Sequence, residues 1–184
     1  MLAFDVPLIP DEQYIRFLCD HEKDIHCVHF SLFDDAIADA RPQFGSGNVE
    51  QLHFGLQRLK GPKKYALMNS RFNAPQSYLD KKNIRSRLSV LEKLLDVQVL
   101  DGIIYADHYL LQALSDASRE IAAHLEAVPS INCLADSFDK VRSLLEAIAL
   151  THFRLPEKFT LDRSLNRNIK ALADVSSQCR ETWQ

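Results

Sequence analysis

Residues 101–134, DGIIYADHYLLQALSDASREIAAHLEAVPSINCL, decide the fold class. Residues 101–106 (DGIIYA) pack isoleucine and tyrosine into a short apolar run that stops at Asp107, which reads as a strand. Residues 109–125 then space their leucines and Ile121 three and four apart, a helical stretch with a break predicted near 115–118. Residues 127–134 (AVPSINCL) return to an apolar strand-like run. A strand, a helix of more than ten residues and a second strand make a βαβ unit, and such units build parallel sheets.

The same alternation extends in both directions. Upstream, residues 25–33 (IHCVHFSLF) and 64–70 (KYALMNS) read as strands, and residues 49–59 and 80–95 as helices. Ile84, Leu88, Leu91 and Leu95 form one stripe of the second helix. Downstream, Asp136 or Ser137 is placed to cap a helix whose apolar face is Phe138, Val141, Leu145 and Ile148. Residues 158–162 read as a fifth strand and residues 165–175 as its helix. Ahead of all this, Pro10 and Asp11 open a short helix over residues 11–21. The expected molecule is one α/β domain over residues 1–184: a short N-terminal helix, then five βα units on a parallel five-stranded sheet.

Composition agrees with a folded domain. The chain has 184 residues, 46% of them hydrophobic and 26% charged, so a sizeable core can form. Net charge is −3, which argues against nucleic acid or anionic lipid as the partner of this segment alone. Only 5 residues are glycine, and no Gly-rich phosphate loop, nucleophile elbow or HExxH stands in the chain. No apolar run approaches the ~20 residues of a membrane span. Cys19, Cys27, Cys133 and Cys179 form no CxxC pair, and with no secretory leader they read as free thiols of a cytoplasmic protein.

Parallel α/β proteins bind ligands beyond the carboxyl ends of their strands. Those ends carry Ser31, Asp34 and Asp35; Asn69, Ser70 and Arg71; Asp107 and His108; Asn132, Cys133 and Asp136; and Asp162, Arg163, Ser164, Asn166 and Arg167. Asp and Asn at such positions also serve as helix caps. Arg71 and Arg163 fit no capping role, and a guanidinium suits a carboxylate or phosphate. The candidate site is therefore Asn69, Arg71, Asn132 and Arg163 for an anionic substrate, with Asp107 or Asp162 as general acid or base. Asp34, Asp107, Asp136 and Asp162 follow no metal-site spacing, so no metal is assigned. His26 and His29, three apart on a strand, are expected to face opposite ways.

Four strings are distinctive: KKYALMNSRFNAP (63–75), DGIIYADHYLLQALSDAS (101–118), EAVPSINCLADSFDK (126–140) and LDRSLNRN (161–168). Across residues 25–167 they resemble the amino-terminal half of the collagenase-like peptidase family U32, in a divergent branch. The resemblance implies a (β/α) barrel. It also implies, for better-studied members, a cysteine-bound iron–sulfur cluster and hydroxylation of RNA bases or quinone precursors. Those cysteines have no counterpart here, so the cofactor is left open. Matching strand-end residues are Asn69, Arg71, Asp107, Asn132, Asp162 and Arg163. Five units fall short of the eight, and the typical ~250 residues, of a complete barrel. The expectation is a partial, truncated TIM-type barrel whose open edges pair with a second copy or with a missing carboxyl-terminal half. Three functions compete: part of an enzyme acting on a small anionic substrate, a non-catalytic module that self-associates, and a component of an RNA-modifying system.

Overall fold

The computed structural model describes residues 3–32, 49–70 and 73–183. Asp34, Asp35, the loop expected over 41–46 and Arg71 lie outside the described residues. The strands are β1 (Phe4–Pro7), β2 (Ile25–Ser31), β3 (Lys63–Met68), β4 (Gly102–Tyr105) and β5 (Glu126–Pro129). The helices are α1 (Glu12–Asp20), α2 (Val49–Arg58), α3 (Gln76–Leu79), α4 (Lys81–Asp96), α5 (His108–Ala117), α6 (Arg119–His124), α7 (Phe138–Ala149) and α8 (Ile169–Trp183). All four strand pairings are parallel, in the order β1-β2-β3-β4-β5.

That order settles the architecture. A doubly wound sheet reverses direction at a switch point, whereas a barrel adds each new strand beside the last. Here every neighbour is sequential. Among the described residues β1 and β5 do not pair, so the barrel is open.

Side chains divide by strand parity. Val28, Phe30, Ala66, Met68, Ile103, Tyr105 and Ala127 point outward into the main core with the helices. Cys27, Tyr65, Ile104 and Val128 point inward and form a small cluster on the concave face. Local chemistry starts the helices where periodicity predicts them. Asp80 accepts from Lys82 N at 2.8 Å, Ser118 from Ile121 N at 3.3 Å, and Ser137 from Lys140 N at 3.4 Å. The Ser118 cap is the break between α5 and α6.

Three expectations fail. The chain does not begin with a helix: β1 precedes α1, so the five βα units run from β1α1 to β5α7. Its four residues, FDVP, include an aspartate and end in proline, and no periodicity marks them. Residues 158–162 are not a strand. Arg154 makes one isolated parallel bridge to Glu126, and Pro156 then removes a donor from any continuing ladder. The segment instead leaves β5 and crosses the concave face as a strap. Glu157 Oε2 meets Lys63 Nζ on β3 at 2.7 Å, and Lys158 Nζ meets Asp5 Oδ1 on β1 at 2.6 Å. Phe159 and Leu161 pack on a second core built from Ala135, Val141, Leu144 and Val175. The helix expected over 165–175 is divided into a 3-10 turn, Arg163–Arg167, and α8.

Candidate functional site

The floor of the concave face is a charge network at the amino ends of the strands. Glu126 has a side chain only 4% exposed. Its carboxylate accepts from Lys63 Nζ at 2.7 Å and from Tyr65 Oη at 2.8 Å. Burial works against the Lys63 ammonium, but its bonds to Glu126 and Glu157 outweigh burial and hold its pKa above the ordinary value. Gly102 lies against this group: a Cβ there would collide with the Glu126 carbonyl and stand 2.9 Å from the Tyr65 ring. Only glycine allows β4 to pass between them.

Above the floor is a cavity of about 280 Å³ between the sheet and the strap. Leu67, Ile104, Val128 and Pro129 give it an apolar wall, and Lys158 and Thr160 reach in from the strap. Burial opposes the Asp5 carboxylate, yet hydrogen bonds from Lys158 and Cys27 keep its pKa below the ordinary value. The Cys27 thiol is pushed up to about 12, first by burial and then by its bond to Asp5. It is a protonated thiol at neutral pH, not a nucleophile.

His26 and His29 both line this cavity, against the expectation from a regular strand. The β1–β2 register explains it: Phe4 faces Ile25 while Asp5 faces Cys27, so His26 is an inserted residue. Such a bulge re-aims a side chain.

Between the loop that follows β5 and the 3-10 turn after the strap lies a groove of about 720 Å³. Asn132, Asp162, Arg163 and Arg167 line it together, and Ile131 is shared between groove and cavity. Asp162 N donates to Ala135 O at 2.9 Å, which seats the end of the strap beside the loop after β5. The Asp162 carboxylate accepts from Ser164 N at 2.8 Å, and the Ser164 hydrogen bonds hold its pKa below the ordinary value. Arg163 and Arg167 are exposed and enter none of the ion pairs among the described residues. Leu134, also in the groove, holds a left-handed φ of 55°. That conformation costs a non-glycine residue about 1 kcal/mol.

Asn69 stands in the neighbouring cavity, its carbonyl accepting from Asn132 Nδ2 at 3.1 Å. Asn69, Asn132, Asp162 and Arg163 are thus brought into one connected region. Asp107 is set apart: Oδ1 caps α5 by accepting from Tyr109 N and Leu110 N, Oδ2 accepts from Asn73 Nδ2, and the residue lines neither void. Sequence reasoning missed Asp5, His29, Lys158 and Thr160. Parity places His29 on one face with Cys27, and Thr160 on one face with Lys158; nothing in the sequence marks Asp5.

The cysteines do not fit an iron–sulfur cluster. Cys27 lies in the concave face, Cys19 packs on the main core, and Cys133 and Cys179 on the second core. No three metal-binding side chains come together among the described residues. Nor is any helix among them long and apolar enough to cross a membrane.

No protein-family model matches the chain, and no curated protein matches it. Its fold is similar to that of a solved structure, the U32 peptidase Mk0906, with a TM-score of 0.63 and 18% sequence identity. The match covers 96% of this chain and 65% of that one. The resemblance read from the four strings thus has a counterpart in three dimensions: over nearly its whole length, this chain is an open α/β barrel with the fold of a U32 peptidase structure.

Proposed function

We propose that this domain binds a small anionic molecule at the carboxyl ends of its strands, with Arg163 and Arg167 holding the anion and Asn132 beside them. The observation that carries the reading is that two guanidiniums, Arg163 and Arg167, line one groove that holds a single carboxylate, Asp162, and enter no ion pair among the described residues. A guanidinium matches the planar fork of an oxyanion. In the catalytic version of this reading Asp162 is the general base. The Ser164 hydrogen bonds lower its pKa, which keeps it ionised near neutral pH and makes it a weak base. Asn69 and Asn132 orient the substrate, and Arg71 is assigned to the same anion. Asp107, engaged as a cap, positions α5.

The test is calorimetric titration of inorganic phosphate into the chain and into Arg163→Met. One charge-assisted hydrogen bond corresponds to about tenfold in affinity. The expected result is a loss of that size with an unchanged unfolding midpoint, because Arg163 is exposed. Equal binding by both proteins would overturn the reading.

A second reading, pairing with another copy of this chain, is favoured by β1. It is an outer strand with no neighbour on its free side among the described residues, and Phe4 in it and Ile9 just after it are 53% and 52% exposed. An open edge is a template for another strand. Sedimentation velocity at micromolar concentration should give a dimer, and a sharp monomer boundary would contradict it.

A further inference from the structure

We infer that the ligand of this face is an amphiphile, an oxyanion head on Arg163 and Arg167 carrying a short unbranched apolar chain that crosses Ile131 into the cavity under the strap. This rests on the anion-binding reading and adds to it the chemical class of the ligand.

The groove and the cavity abut at Ile131, a residue 38% exposed that lines both. On the groove side the lining is charged and amide-bearing. On the cavity side Leu67, Ile104, Val128 and Pro129 make an apolar wall on the sheet, opposite Lys158 and Thr160 of the strap. The acid–base pairs deeper in the cavity are already made, and His26 and His29 stand beside them on β2. Asp5 is bonded to Lys158 and to the Cys27 thiol, and the Tyr65 hydroxyl is given to Glu126. A charged tail entering there would compete with the Asp5–Lys158 pair. A hydrocarbon chain breaks none of these pairs and covers apolar wall that otherwise faces water. At roughly 30 Å³ per water-sized group, a volume of about 280 Å³ admits a chain of up to about eight carbons.

The experiment is a calorimetric series on the unmodified chain: inorganic phosphate, then ethyl, butyl, hexyl and octyl phosphate, with hexanol as the headless control. Each methylene taken from water is expected to raise affinity about fourfold, with the gain ending near the octyl compound where the cavity is full. Hexanol should bind far more weakly than hexyl phosphate. Affinity that stays flat from phosphate to hexyl phosphate would overturn the amphiphile and leave the anion reading standing. Hexanol binding as well as hexyl phosphate would overturn the anion reading, and the amphiphile with it. Ile104→Phe, which fills the cavity from β4, should collapse the hexyl-to-ethyl affinity ratio toward one; an unchanged ratio would count against the chain's path. If that variant does not fold, the series on the unmodified chain still decides the matter.

Discussion

Replacing Glu126 with alanine tests whether the floor network shapes the concave face. The Glu126 side chain is 4% exposed and takes two hydrogen bonds, from Lys63 and Tyr65. Without it, the Tyr65 hydroxyl is left buried and unpaired, which costs about 1–3 kcal/mol. Lys63 is 25% exposed and keeps Glu157, so its loss is the smaller part, about 1 kcal/mol after screening. Arg154 at 3.9 Å, half-exposed, adds little. The expected destabilisation is about 3 kcal/mol, at the low end of the range for breaking a buried pair. Glu126→Gln retains an acceptor for Tyr65 and should cost only about 1 kcal/mol. Urea unfolding followed by far-ultraviolet circular dichroism measures both. A Glu126→Ala cost below about 1 kcal/mol, or equal costs for the two variants, would refute the reasoning.

Gly102→Ala should destabilise by about 1–3 kcal/mol through overpacking against the Glu126 backbone and Tyr65, measured in the same assay. Tyr105→Phe should leave stability unchanged or raise it by about 1 kcal/mol, because the Tyr105 hydroxyl is buried with no hydrogen-bond partner among the described residues. The Asp5–Lys158 latch should be acid-sensitive. Asp5 has a folded pKa below its unfolded value of about 3.9, so its stabilisation is complete above that value and is lost as pH falls through the lower folded pKa. A melting-temperature series between pH 6 and pH 2.5 should fall more steeply for the native chain than for Asp5→Asn. At pH 8, Cys27, with a pKa of about 12, should alkylate at least ~1,000-fold more slowly than glutathione by mass spectrometry.

The helices and the middle of the sheet were legible because burial there is one-sided or total. The stripe of Ile84, Leu88 and Leu91, the caps at Asp80, Ser118 and Ser137, and the apolar runs of β2 to β5 all report contacts local to their own elements. β1 was invisible because four residues carry too little pattern to outweigh two nearby prolines. The strap was misread for a more instructive reason. PEKFTL alternates as a strand does, and the alternation is real: Lys158 and Thr160 face the cavity while Phe159 and Leu161 face the second core. Alternation records burial on two faces, not a hydrogen-bonded neighbour, and Pro156 and the departure from β5 after Arg154 deny it that neighbour. Asn132 could be placed because polar residues after an apolar run mark the rim of a parallel sheet; Asp162 and Arg163 reach the same groove from the end of the strap, not from the strand end that nominated them. The Asp5–Lys158 pair could not be placed, because its members are 153 positions apart and the strap's path creates the contact. The inward turn of His26 depends on a one-residue bulge that leaves no trace in composition.

Amide chemical shifts during a phosphate titration test the central claim most directly. The reading predicts saturable shifts confined to the groove, at Asn132, Leu134, Arg163, Ser164 and Arg167, with none on α4 or α7 away from it. Shifts scattered over the surface lysines and arginines, or none at concentrations where other protein anion sites saturate, would contradict it.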